Sequence, residues 1–202
     1  MTGTTTSKTI RKMTYLAMLT AIVVVLQMAG ASIRFGMFSV SLVLMPIVLG
    51  AAIGGPVFGA WLGAVFGIVV IASGDAAAFL AVNPIGTVIT VMVKGIGAGL
   101  VAGLVYNMAA EPSLNKKRNI GATVCAAVSC PIVNTGVFLL GCLAFFMPTI
   151  SEWAATFGYE SAGAYMILGL AGGNFLLELV LNMVLVPAIV SLLNLVPSFR
   201  RR

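Results

Sequence analysis

Between Arg34 and Asp75 the chain carries no charged side chain, and from Asn119 to Ser151 it again has none. Runs of this kind are long enough to cross a bilayer, whose hydrocarbon core of roughly 30 Å takes about 20 apolar helical residues. With 60% hydrophobic and 8% charged residues among 202, no single soluble core could hide this much apolar surface. The runs lack the strict polar–apolar alternation of a membrane β-barrel, so the expected class is an all-α membrane protein in one domain. The first apolar run, from about Met13 to Ala31, flows into further spans without a convincing cleavage site and does not read as a cleavable signal.

Gly, Pro and charge punctuate the chain into six expected transmembrane helices in one bundle, at about 12–32, 39–54, 56–74, 84–108, 118–147 and 162–195. Basic groups stand before the first span (Lys8, Arg11, Lys12), between the fourth and fifth (Lys116, Lys117, Arg118) and after the last (Arg200, Arg201, Arg202). An even span count puts all three on one face, which the positive-inside rule makes cytoplasmic together with both termini. The net charge of +6 therefore reads as topology and lipid contact, not as a nucleic-acid surface. Gly54-Gly55-Pro56 is expected to be a tight cytoplasmic reversal. On the opposite face, SIRFGMFSVS (32–41) reads as a short extended lid bearing Arg34 and Phe35 as candidate ligand contacts. PTISEWAATFGYESAGA (148–164) reads as an amphipathic interfacial lid. Small residues at helical spacing, Gly59, Gly63, Gly67 and Gly95, Gly99, Gly103, are expected to let helix backbones approach within the chain; Ala17 and Ala21 could serve the same end or meet a partner protein.

The ionisable residues at depth are chiefly Lys94 and Glu178, and an unpaired charge there costs at least about 2.5–3.5 kcal/mol, so each is expected to face the bundle interior. Asn83, Thr87, Thr90 and Lys94 form one polar stripe by steps of four, three and four; Asn174, Glu178 and Asn182 form another; Asn134 and Thr135 stand beside Pro131. Rising at about 1.5 Å per residue, Lys94 and Asn174 reach similar depth. Two readings follow. In one, Lys94 and Glu178 are a buried ion pair and the amides join helices. In the other, the stripes converge on a cavity for a polar solute, with Lys94, Asn134, Asn174, Glu178, Asn83 and Thr90 as its binding groups and Asn182 as packing.

An enzyme is not expected. The chain has no histidine, which removes HExxH zinc chemistry and a Ser-His dyad; one aspartate, which removes a two-aspartate protease; and no GxxxxGK[ST] loop. Cys125, Cys130 and Cys142 match neither CxxC nor zinc spacing, so no metal or cofactor is expected. An ion-coupled secondary transporter is the main rival class, with Glu178 as coupling group, although no repeat relates the two halves. A membrane scaffold without a ligand is a third.

Several stretches carry a family resemblance: RKMTYLAMLTAI, SVSLVLMPIVLGAAIGGPVFGAWLGAVFG, NPIGTVITVMVKGIGAGLVAGLVYN, CPIVNTGVFLLG and GNFLLELVLNMVLVPAIV. In this order, over nearly its full length, the chain resembles the substrate-binding S component of energy-coupling-factor (ECF) vitamin transporters, particularly the riboflavin and pantothenate branch. The resemblance implies a prokaryotic plasma-membrane subunit that captures a vitamin from outside, with a membrane T component and two cytoplasmic ATPases as partners. It also implies that Ala17 and Ala21, as an AxxxA pattern on the first helix, contact the T component, and that the loaded bundle topples to present its site inward. Trp61 and Trp153 do not cluster in sequence, unlike the tryptophan-rich site of thiamine carriers, and few aromatic residues are expected around the cavity. One lysine among Asn and Thr groups suits a slender anion with hydroxyls and an amide. The order of expectation is pantothenate, then riboflavin, then another small vitamin.

Overall fold

The protein is described by a computed structural model covering residues 3–32, 34–35, 38–39, 42–110 and 119–195. The basic clusters at 116–118 and 200–202 lie outside the described residues. Helix α1 spans Gly3–Ser32 and is followed by a minimal antiparallel pairing of β1 (Arg34–Phe35) with β2 (Phe38–Ser39), in which Arg34 faces Ser39 and Phe35 faces Phe38. Then come α2 (Leu44–Gly54), α3 (Pro56–Ala72), the short α4 (Ala77–Val82), α5 (Pro84–Ala109), α6 (Asn119–Phe145) and α7 (Met147–Thr156). One turn of helix, α8 (Ala162–Ala164), widens into a π-helix at Tyr165–Gly172 and continues as α9 (Gly173–Leu195).

Among the described residues, four stretches are long and apolar enough to cross a membrane: Thr9–Ala31, Pro84–Ala109, Ile120–Phe145 and Ala162–Leu193. The apolar helices α2 and α3 are shorter. Helix α2 begins at Leu44, well inside the expected 39–54 span, and its 11 residues rise only about 16 Å. The expected 118–147 span divides at Phe146, whose backbone leaves the helical region, and Pro148 opens α7. Large apolar side chains point outward around the whole bundle, among them Val57, Ile85, Met108, Leu168 and Val184. Helices that are apolar on every face belong in lipid, and the protein is membrane-embedded.

Local chemistry sets the element ends. Gly55 sits at φ +90°, a conformation that side chains avoid, and Pro56 follows in the first turn of α3, so the backbone reverses within two residues. Asn83 caps α5: its Oδ1 accepts from Gly86 N at 2.9 Å, and Pro84 fills the first turn. Pro131 inside α6 and Pro187 inside α9 each remove one backbone donor from the helix ladder.

Helix α5 is the central element, packed against α3 on one side and α6 on the other. Its contact with α3 is backbone against backbone. A Cβ on Gly63 would run into the carbonyl of Gly95, one on Gly59 into that of Gly99, and the reverse substitutions meet the same obstruction. Gly103 likewise lies over Pro56. Such proximity increases dispersion and admits weak Cα–H···O contacts, which matter because apolar surface gives helices little reason to associate within lipid. The α5–α6 contact also uses small side chains: Ala98, Ala102, Ala126, Ala127 and Cys130 are all at 0% exposure. A second apolar cluster, Cys142, Phe146, Ile150, Ala154, Tyr165, Met166 and Leu170, ties α7 and the π-helix to the end of α6.

Replacing Gly63 by Ala should cost about 1–3 kcal/mol by forcing α3 and α5 apart. Gly136→Ala, where a Cβ meets nothing within 4 Å, should be neutral or slightly stabilising. Thermal unfolding in detergent distinguishes the two.

Candidate functional site

An internal cavity of about 120 Å³ lies between α3, α4, α5, α6 and the π-helix/α9 segment. From α5 it receives Thr87, Thr90 and Lys94, three members of one helical stripe; from α6, Asn134, Thr135 and Phe138; and from α9, Asn174. The polar residues of three helices thus meet in one space. Asn83, the first member of the α5 stripe, does not line it, because its side chain caps the helix. Thr87 Oγ1 donates to the Asn83 carbonyl at 2.8 Å, the back-bond by which a threonine satisfies itself within a helix.

Lys94 Nζ stands 5.6 Å from the ring centroid of Phe66 and 5.4 Å from that of Phe138. Aromatic faces attract a cation without neutralising it, so the ammonium retains its donors for an anion. Glu178 does not supply that anion. Its carboxylate is 2% exposed and engages two amides: Asn134 Nδ2 donates to Oε2 at 3.3 Å, and Asn174 Nδ2 donates to Oε1 at 3.0 Å. The Lys94–Glu178 ion pair of the first reading is not formed among the described residues. Asn174 sits one turn before Glu178 on α9 and Asn134 reaches it from α6, so each carboxylate oxygen takes one amide donor, and Glu178 does not line the cavity that Lys94 enters. Asn182, a further turn along α9, is buried and does not line the cavity.

Two buried polar atoms of cavity residues, Thr90 Oγ1 and Asn134 Oδ1, have no hydrogen-bond partner among the described residues. Leaving such atoms unpaired costs about 1–3 kcal/mol each, an expense that a bound polar solute would remove.

The cavity also contains groups that the sequence reading left out. Asp75, in the turn after α3, lines it and accepts a 3.2 Å hydrogen bond from Gln27 Nε2 of α1. Gln27 is itself only 2% exposed. Phe79, Phe138 and Phe146 supply an aromatic wall, contrary to the expectation of few rings: Phe79 makes edge-to-face contacts with Phe138 at 5.6 Å and Phe146 at 5.1 Å. Trp153 of α7 packs on Phe79 in the same way at 5.5 Å. Phe79 and Trp153 come from short helices after turns, where helical spacing along the long spans gives no clue to depth. The side chains of Arg34 and Phe35 lie outside the described residues. Ala17 and Ala21 are exposed on α1, on the outside of the bundle and away from the cavity.

The family model described as "ECF transporter, substrate-specific component" matches residues 11–190. No curated protein matches the chain. Independently of that match, the site geometry separates Lys94 and Glu178 by their effect on stability. Glu178→Leu would strand the Asn134 and Asn174 donors and should lower stability by about 1–3 kcal/mol. Lys94→Met replaces the ammonium beside Phe66 and Phe138 with an unbranched apolar side chain and should leave the melting temperature within a few degrees of wild type.

Proposed function

The chain belongs to the family of substrate-specific components of ECF transporters, and we propose that its cavity captures pantothenate for ATP-driven uptake. Membership makes it the substrate-binding subunit of a transporter, not an enzyme, working with a T component and ATPases on a small-molecule substrate. Under this proposal the chain crosses a prokaryotic plasma membrane six times, with both termini cytoplasmic and α2 making the shortest crossing. Ala17 and Ala21, exposed on α1, meet the T component, and the ATPase subunits number two.

The observation that carries the choice of ligand is Lys94, whose ammonium enters the cavity beside aromatic faces and the more distant Asp75 and, among the described residues, forms no ion pair. A ligand carboxylate completes that site with a charge-assisted hydrogen bond. Asn134, Asn174 and Thr90 line the same cavity, and their amide and hydroxyl groups suit a ligand with hydroxyls and an amide, which supports this reading. The cavity volume of about 120 Å³ is small beside the roughly 300–1,000 Å³ of drug-sized pockets, which favours a slender ligand over a fused ring system. Riboflavin is the second reading, favoured by the wall of Phe79, Phe138 and Phe146, against which a flat ring could stack. It would require the cavity to widen.

Calorimetry on the purified protein should show one pantothenate bound per chain, and Lys94→Met should abolish that binding with the fold retained. Saturable quenching of riboflavin fluorescence without pantothenate binding would transfer the assignment to the second reading. In liposomes, uptake should require the T component, the ATPases and ATP. Strong uptake by this chain alone under a proton or sodium gradient would instead identify an ion-coupled secondary transporter.

A further inference from the structure

An asparagine side chain can present either its carbonyl or its amino end, and the two are nearly alike in shape. At Asn134 the choice is made by Glu178. A carboxylate is an acceptor at both oxygens, and here each oxygen takes one amide donor, from Asn134 of α6 and from Asn174 of α9. Turning Asn134 over would set its carbonyl oxygen against a carboxylate oxygen in a buried site, where like partial charges repel with little screening. Asn134 Oδ1 is consequently left as the other end of a fixed amide. It is buried, belongs to a residue lining the cavity, and has no partner among the described residues.

We infer that Glu178 is a positioning residue that fixes the hydrogen-bond polarity of the cavity wall. The ligand must bring a hydroxyl or N–H donor to Asn134 Oδ1 while it presents its anionic group to Lys94. This rests on the reading of the cavity as the ligand site and adds a rule of selection to it. Lys94 can only donate and the unpartnered Oδ1 of Asn134 can only accept, whereas the unpartnered Thr90 hydroxyl can do either and imposes no choice. An anion made only of acceptors would satisfy Lys94 and leave two acceptors opposed at Asn134. A hydroxy or amido carboxylate satisfies both ends. Specificity of this kind is strong because the wrong ligand leaves a buried polar group unpaired.

The test uses pantothenate, its two monodeoxy analogues and its N-methylated amide, titrated into wild type, Asn134→Leu, Glu178→Gln and Glu178→Asp. In wild type, removal of one of the three donors should weaken binding by about 10–100-fold. That penalty should shrink to within about threefold in Asn134→Leu and Glu178→Gln, since glutamine offers a donor as well as an acceptor and frees the amides to turn. Glu178→Asp, still acceptor-only, should retain most of it. A penalty that persists undiminished in Asn134→Leu or Glu178→Gln overturns the inference, as does the absence of any penalty in wild type. A ligand-free measurement keeps it open to refutation if a variant does not fold or pantothenate does not bind. In ¹⁵N-labelled protein the Asn134 and Asn174 side-chain amides should each show a downfield, carboxylate-bonded proton, and Glu178→Gln should shift at least one upfield. Failure of pantothenate to bind with these resonances present refutes only the ligand assignment. Their absence refutes the role of Glu178.

Discussion

A polar side chain within the hydrocarbon layer has no water to turn to, so its position is decided by where the bundle can supply a partner. That constraint organises the interior of this protein. Thr87, Thr90, Lys94, Asn134 and Asn174 come from three helices and share one cavity, because each would be costly on the lipid-facing side of its own helix. Glu178 goes deeper behind that wall and is tolerated there because two amides meet its two oxygens. The cavity and the carboxylate behind it are two solutions to the same problem, one open to a solute and one closed.

The scaffold that holds these groups is made by residues with almost no side chain. Glycines on α3 and α5 bring the two backbones into contact, and alanines do similar service between α5 and α6. Helix α5 is thereby fixed on both flanks, and the stripe it carries has a defined depth and direction. Lys94 depends on this most, since its ammonium lies between rings on two other elements, Phe66 of α3 and Phe138 of α6. Close helix packing and ligand chemistry meet at the same residues of α5: Gly95 is the immediate neighbour of Lys94.

Much of this is legible in the sequence, for a physical reason. A long helix in lipid has one period, and a polar residue that recurs on that period marks an inward face, so Thr90, Lys94, Asn134 and Asn174 can be placed before any coordinates exist. The partner of a buried charge is harder to read. Opposite charges within reach of a long lysine stem suggest an ion pair, yet Glu178 binds amides, from Asn174 one turn away on its own helix and from Asn134 across the α6–α9 contact. Asn83 belongs to the periodic stripe but stands at the helix start, where capping claims its side chain. Asp75, Phe79 and Trp153 follow turns, and rotation about a turn is not encoded in any helical period. Aromatic residues far apart in sequence consequently converge without warning.

The π-helix at Tyr165–Gly172 directly precedes Asn174 and leads into the helix that bears Glu178. Widened turns of this sort hold more residues than the α-helical count allows and behave as insertions within an otherwise regular helix. Were the segment to wind as ordinary α-helix with its residue count unchanged, each residue would turn through about 100°, more than in the wider π turn, and all that follows would rotate about the helix axis. Asn174 and Glu178 would swing off the α6 side together, leaving the amide of Asn134 without its anchor. The register of the last helix, and with it the selectivity ascribed to the cavity, is thus stored in a segment whose own side chains are mostly hydrocarbon.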